Sequence, residues 1–589
     1  MSVQVPAARN GIDLRDMHTG IVMNGRHRLQ FTKIDVPVQE DLTMRMSLPA
    51  ALLGTTPALA GASAIQNRQS NDTTPTVTLD YSTVVAAAGN TTAGFWKFQN
   101  IRFAQAPTGD LRFAPPEWPL TEDSDNTGDL AGSDVDCSSE EDCLFMDIWV
   151  PQSALDGTAD ALPVAVWTYG GGFTGGSKSQ NTPEGLFDLS TDFIFVSYNY
   201  RLGITGLANG PSFNHQGGTS NVALWDVSQA FSWVQRYIGE FGGNPDQVTA
   251  MGFSAGGSHI LFQMTRFGGR AEQLFSQAYV MSPGLVPSAG HETAEQFWLN
   301  ASSAAGCDGG DLGCMKSLDF DTVHAAGSDV AGAYDYSLQP KVDGYIISDT
   351  YEACFYAKHF NFSGPVVLTH ELHEANSQEY SGVDTDDDVG AALRDFFPLI
   401  QDRVVEEALE LYPADDYASP GFRFSDIKQH FELTAHNLAA THGLNNQTWN
   451  ALVELGSATH GTDQIYSTYT LSSSASSDSE VDTDATGTTA ASSAAASTTA
   501  GLGGNSTDGG GIGGSASVDS GIAIMMQKYL ISFIQTGDPN TLWADDKLYW
   551  PMYNESDNGV EIYFNTTFTT GHDDLANDQA LFWNKALWY

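Results

Sequence analysis

The sequence predicts an α/β protein with a large, mostly parallel sheet flanked by helices. Three features carry that expectation. Short β-branched and aromatic runs alternate with amphipathic stretches at helical spacing. The runs are apolar throughout instead of alternating, as strands buried on both faces are. Several of them end in glycine-rich turns. LPVAVWTY (162–169) is the first such strand and runs into glycines, and FIFVSYNY (193–200) is the second. The stretch 221–238 then places Ala223, Leu224, Val227, Ala230, Phe231 and Val234 on one helical face. QVTAMGF (247–253) reads as a strand again, SHILFQM (258–264) as a helix, and IAIMMQKYLISFI (522–534) as a late apolar helix.

The totals are compatible with one large core. The chain has 589 residues, 41% of them hydrophobic, and a formal charge of −47 from 72 acidic and 25 basic side chains. Such a surface repels phosphate backbones, so nucleic acid is excluded as a partner, and the charge is read as a solubility device. Residues 471–520 are rich in Ser, Thr, Ala and Gly and nearly free of core-forming side chains. Burial there cannot repay the entropy of ordering, so a disordered insertion is expected between 65–470 and 521–589.

The N-terminal region points to export. Residues 44–64, MRMSLPAALLGTTPALAGASA, combine a basic start, a moderately apolar stretch and small residues at Ala62 and Ala64. That is the layout of a signal peptide. Residues 1–43 then read as a mis-extended start or a disordered extension. Eight N-x-S/T sites follow, at Asn71, Asn90, Asn300, Asn361, Asn446, Asn505, Asn554 and Asn565. Five cysteines include two close pairs, Cys137 with Cys143 and Cys307 with Cys314, and a single Cys354. In an oxidising compartment these suit two short disulfide loops, although the sequence alone does not set the pairing. The expected product is a secreted, extracellular glycoprotein without a stable membrane anchor and of undetermined oligomeric state.

Gly252-Phe253-Ser254-Ala255-Gly256 is the only G-x-S-x-G pentapeptide in the chain. A sharp strand-to-helix turn of this kind lifts a serine hydroxyl off the sheet, and only small flanking residues allow the close backbone approach. In a glycine-rich chain the pattern by itself is weak; a preceding strand and a following helix strengthen it. Tyr169-Gly170-Gly171-Gly172-Phe173 supplies a second glycine turn after a strand. The N–H groups of Gly171, Gly172 and Ala255 could then form an oxyanion hole, although a glycine triplet is as often just a flexible turn.

With these residues in hand, the sequence resembles the type-B carboxylesterase, cholinesterase and fungal lipase family. FGGNPDQVTAMGFSAGG (241–257) is close to its nucleophile signature and EDCLFMDIWVP (141–151) to its second signature. NIRFAQAPTGDLRFAPPEWP (100–119), YGGGFTGGS (169–177), TGDPN (536–540) and YWPMY (549–553) resemble further family segments in the same order. The resemblance implies an α/β-hydrolase fold. It also implies a triad in which GPVVLTHELHEANSQ (364–378) supplies Glu374 and ELGSATHGTDQIY (454–466) supplies His460. Ala375 replaces the usual glycine after the acid. Glu371, one helical turn away, is the alternative acid, and His442, in a second Thr-His-Gly, the alternative histidine. A surface carboxylate is the plainer reading of both Glu374 and Glu371, and a solvated histidine that of His442.

The resemblance further implies an Arg112–Glu141 pair and disulfides Cys137–Cys143 and Cys307–Cys314. Phe253 stands where cholinesterases carry Glu, which argues against choline esters and for a more apolar pocket. The reaction implied is two-step acyl transfer on a small-molecule or lipid ester, with no metal or organic cofactor. DTDDDVG (384–390) offers alternating Asp, but its glycine is one place late for a calcium loop, so a solvated acidic loop is expected there. Two rival readings are a lipase working at lipid interfaces and a non-catalytic recognition protein, which typically lacks the nucleophile.

Overall fold

The computed structural model describes residues 74–129, 134–286, 291–334, 336–470, 518–556 and 559–584. The expected signal peptide at 44–64, residues 1–43 and almost all of the 471–520 insertion lie outside the described residues.

The described chain is built on an eleven-stranded sheet. Its strands are β1 (Ala88–Asn90), β2 (Phe95–Arg102), β3 (Phe145–Pro151), β4 (Leu162–Thr168), β5 (Ile194–Tyr198), β6 (Gly243–Phe253), β7 (Gln277–Met281), β8 (Val366–Glu371), β9 (Trp449–Val453), β10 (Glu561–Phe564) and β11 (Thr569–Gly571). The order across the sheet is β11-β10-β9-β8-β7-β6-β4-β5-β3-β2-β1. Pairing is parallel from β5 through β4, β6, β7, β8 and β9 to β10. It is antiparallel at both margins. The mostly parallel α/β architecture expected from the sequence is therefore present.

Strands β5, β7, β8 and β9 are buried along their whole length. Burial along the whole strand follows from cover on both faces of a parallel sheet. The helices that matter for the site are α1 (Val222–Tyr237), α2 (Ala255–Gly269), α3 (Asp386–Phe396), α4 (Asp402–Leu411), α5 (Pro420–Gln429), α6 (Ala435–Gly443), α7 (Thr462–Ser467), α8 (Ser520–Thr536) and α9 (Asp578–Trp583). Helix α1 buries Ala223, Leu224, Val227, Ala230, Phe231 and Val234, the face read from the sequence. Helix α8 buries Ala523, Met526, Leu530 and Phe533 against the main core. A separate apolar cluster joins α3, α4, α5, α6 and α9, with the rings of Phe397 and Trp583 on Phe431 and Phe396 linking Phe424 to Phe431. The acidic 384–390 stretch is not a loop. Thr385 and Asp388 form a reciprocal capping box, which starts α3 and directs three Asp side chains at its positive end.

Cys137 is bonded to Cys143 and Cys307 to Cys314, while Cys354 is buried and unpaired. Arg112 is ion-paired with Glu141 and donates from Nη1 to the Met315 carbonyl at 2.7 Å. A second ion pair lies deeper: Arg201 donates from Nε and Nη2 to Asp226 at 2.8 and 2.7 Å. No helix among the described residues is long and apolar enough to cross a membrane.

Candidate active site

Strand β6 ends at Phe253, and helix α2 begins at Ala255. Ser254 is the single residue between them, at φ 54° and ψ −124°. A non-glycine residue at positive φ is strained and persists only where the surroundings over-determine it. Here the Ser254 N–H donates to the Met281 carbonyl at 2.9 Å, and its carbonyl accepts from the N–H groups of Ser258 and Gly284 at 3.0 and 3.1 Å. The turn also requires its glycines. A Cβ on Gly252 would lie 2.5 Å from the Gly256 carbonyl oxygen, and one on Gly256 only 2.1 Å from the Thr168 carbonyl oxygen. Gly256→Ala is therefore expected to destabilise the protein by roughly 2–3 kcal/mol, since backbone, not a flexible side chain, must move. Denaturant unfolding measures it, and a loss under about 0.5 kcal/mol would contradict the tight-turn argument.

His460 reaches this serine from the turn after β9, three strands away in the sheet. After β9 the chain turns through Gly461, at φ 95°, into α7. The Leu372–His373 backbone fastens that turn: Leu372 N–H donates to Val453 and His373 N–H to Ala458. His460 Nε2 lies 2.9 Å from Ser254 Oγ. Its Nδ1 lies 2.6 Å from Glu374 Oε2. With Nδ1–H donating to the carboxylate, Nε2 is left as acceptor for the serine hydroxyl. The Phe253 ring packs on the imidazole, with centroids 4.7 Å apart.

Glu371 is not the imidazole's hydrogen-bond partner but stands behind it. Its Oε1 accepts from the Gly461 and Asp463 N–H groups, each at 3.2 Å, and its other oxygen accepts from Ser282 Oγ. Its own N–H donates to Glu374 Oε1 at 3.0 Å. Glu371 thus joins the acid turn to the histidine turn. Burial and the neighbouring Glu374 push its acid up to about 8. Burial likewise raises Glu374, and burial with the charge of Glu371 raises Asp463. The His460 imidazole is pushed down by burial, against the opposing pull of Glu371, Asp463 and Glu432. His442 takes no part. It sits in the last turn of α6, 3.4 Å from Tyr356 Oη.

The glycine turn after β4 abuts the serine. A Cβ on Gly170 would fall 2.9 Å from Ser254 Cβ. Gly171 and Gly172 both have positive φ, 123° and 60°, and a Cβ on Gly171 would strike the Gly175 carbonyl oxygen at 2.3 Å. Ala255 follows the serine as the first residue of α2. Tyr169 and Tyr200 stack at 4.4 Å, and the Tyr200 hydroxyl donates to the Tyr169 carbonyl at 2.9 Å. The loop's far end is pinned by the wholly buried Lys178, which is 2.9 Å from Asp147. Gly284 faces the hydroxyl directly: a Cβ there would be 3.4 Å from Ser254 Oγ and 3.1 Å from Leu433. Ser282, Gly284 and Tyr200 carry no motif that singles them out in the sequence.

A hydroxyl, an imidazole and a carboxylate thus stand hydrogen-bonded in series beside a glycine turn. The carboxylesterase family model matches residues 74–583. The chain belongs to the carboxylesterase family. Among similar carboxylesterase-family proteins, carboxylesterase patB of Aspergillus clavatus is 33% identical over 270 residues, 36% of this chain and 49% of that protein. Fumonisin B1 esterase of Sphingopyxis macrogoltabida is 34% identical over 271 residues, 42% of this chain and 48% of that protein. A secreted lipase of Arthroderma benhamiae is 34% identical over 223 residues, 36% of this chain and 43% of that protein. The chain thus spans about half the length of the curated relatives it matches. The crystal structure of Aspergillus niger EstA shares the carboxylesterase fold with a TM-score of 0.71 at 22% identity, over 88% of this chain and 99% of that one.

Proposed function

We propose that this carboxylesterase-family chain is a secreted serine hydrolase of carboxylic esters, with Ser254 as nucleophile, His460 as general base and acid, and Glu374 as the carboxylate that orients the imidazole. The single observation that carries the reading is the unbroken series Ser254 Oγ–His460 Nε2 at 2.9 Å and His460 Nδ1–Glu374 Oε2 at 2.6 Å. In the first half-reaction His460 accepts the Ser254 proton as Oγ attacks the ester carbonyl. Glu374 holds the imidazole tautomer and stabilises its cation. The N–H groups of Gly171, Gly172 and Ala255 receive the developing oxyanion. The alcohol departs with the proton from His460. Water, deprotonated by the same imidazole, then hydrolyses the acyl-enzyme.

A fluorophosphonate probe on folded protein tests this assignment. The expected result is one adduct per chain on Ser254 and parallel loss of p-nitrophenyl ester hydrolysis. Absence of an adduct would favour the non-catalytic reading. Relatives named as lipases motivate a hydrolysis series over acyl chains of increasing length. Activity that falls with chain length and shows no jump on emulsions is expected of an esterase. Secretion is supported by the two disulfides and by relatives named as secreted.

The pH profile should carry the mark of burial. Only neutral His460 accepts a proton, and burial lowers its pKa below the ordinary imidazole value. The acid limb of kcat/KM is therefore expected to have its midpoint below about 6.5. A midpoint at or above about 7 would mean that the surrounding carboxylates outweigh desolvation.

A further inference from the structure

Apart from the triad, the described residues bring one other set of imidazole and carboxylate groups together. His370 on β8, Glu561 on β10 and Asp574, just after β11, place one ligand atom each within 4.8 Å of one another. His370 Nε2 is 2.9 Å from Asp574 Oδ1. His370 and Glu561 are buried, whereas the Asp574 side chain keeps 43% of its exposure, so the group opens to solvent on one side. Asp573 is buried beside them, and its charge acts on both His370 and Glu561.

Glu561 is the informative member. It is 0% exposed, and neither carboxylate oxygen completes a hydrogen bond of good geometry, although the Asp574 amide is directed towards it. A buried ionised carboxylate with no partner is strongly unfavourable, and natural proteins pair such groups or place a metal on them. His370 brings at most one positive charge to three carboxylates.

We propose that His370, Glu561 and Asp574 form a structural binding site for one divalent transition-metal cation. One imidazole nitrogen with two carboxylates suits Zn²⁺ or Mn²⁺, whereas Ca²⁺ prefers six to eight oxygens. Metal–ligand bonds of about 2.0–2.2 Å put tetrahedral ligand atoms roughly 3.4 Å apart and trans octahedral ones no more than about 4.4 Å apart, so the group, whose ligand atoms lie within 4.8 Å of one another, contracts as it closes on an ion. The cation offsets the carboxylate charge, takes up the unpartnered Glu561 oxygens and displaces a proton from His370. It ties the segment before α9 to β8, the strand that leads into Glu371 and Glu374. Its effect is on stability, and it takes no part in acyl transfer, so its failure would leave the proposed hydrolysis untouched.

Full-length protein stripped with chelator and dialysed against Mn²⁺, Zn²⁺ or Ca²⁺ tests the site through metal content and thermal unfolding. The expected result is about one bound Mn²⁺ or Zn²⁺ per chain, with a Tm rise of about 2–3 °C at a hundredfold excess over Kd. Uptake is accompanied by proton release, because the His370 imidazole must be neutral to ligate. Glu561→Gln and the partly exposed Asp574→Asn should each abolish uptake and shift, while Ser254→Ala keeps both. Negligible binding of any of the three ions, or uptake unchanged in Asp574→Asn, overturns the proposal. So does uptake that survives Glu561→Gln but disappears in His460→Ala, which would put the ion at the triad.

Discussion

Ser254→Ala is expected to lower kcat/KM for p-nitrophenyl esters by roughly 10⁴- to 10⁶-fold while leaving the fold in place. The hydroxyl oxygen lies 2.9 Å from His460 Nε2, and on the proposed mechanism its loss leaves the imidazole with only water to deprotonate. Little stability should go with it. The residue's backbone bonds to Met281, Ser258 and Gly284 hold the turn, and alanine keeps all of them. What remains comes from the oxyanion donors and substrate binding. On the proposed mechanism the three groups act as a unit, so adding His460→Ala to Ser254→Ala should cost almost nothing further. Steady-state kinetics with circular dichroism on the single and double variants decides it. Activity within tenfold of the parent would remove Ser254 from the reaction, and additive losses would break the unit.

Asp226→Ala is expected to cost about 3–5 kcal/mol of folding stability. Asp226 is 0% exposed and Arg201 2%. Burial raises the Asp226 acid, and the Arg201 guanidinium works against that rise. The pair itself is no strong source of stability, because desolving both charges consumes most of their attraction. Removing one partner is different. It leaves a guanidinium buried with only the Leu111 and Arg112 carbonyls, at 3.2 and 3.1 Å, as acceptors. Arg201→Met with Asp226→Leu should therefore recover most of the loss. Urea unfolding of the two single variants and the double variant measures this as a cycle. A double variant no more stable than Asp226→Ala would show that packing, not the stranded charge, sets the cost.

Legibility differed between parts of the site for physical reasons. Ser254 could be read because the elbow demands glycine at Gly252 and Gly256, a local steric rule visible at fixed spacing. Helix α1 could be read because burial of one face imposes a helical period, and strands β4, β5 and β6 because burial on both faces leaves mostly apolar runs. The acid was harder. Glu371 and Glu374 sit three residues apart on one turn, both buried and both within reach of the histidine turn. No local rule chooses between them. The choice depends on which carboxylate meets Nδ1 and which meets the Gly461 and Asp463 amides. Residues such as Ser282 and Gly284 had no signal at all, because their importance lies in facing groups that are distant in sequence. The 384–390 stretch misled in the opposite way. Its acidic run reads as a solvated loop, but Thr385 and Asp388 cap a helix.

Taken by itself, the sequence determined the parallel α/β architecture, the serine elbow, the glycine turn beside it and the family to which the chain is similar. All of these rest on short-range constraints: apolar periodicity, and glycines where a Cβ cannot fit. Only the tertiary structure decided which carboxylate meets the imidazole and that Glu371 clamps the two loops together. Only it brought His370, Glu561 and Asp574 into one group. Those contacts join residues that are up to 204 positions apart. They are set by strand order and the register of neighbouring strands, and no local pattern along the chain encodes either.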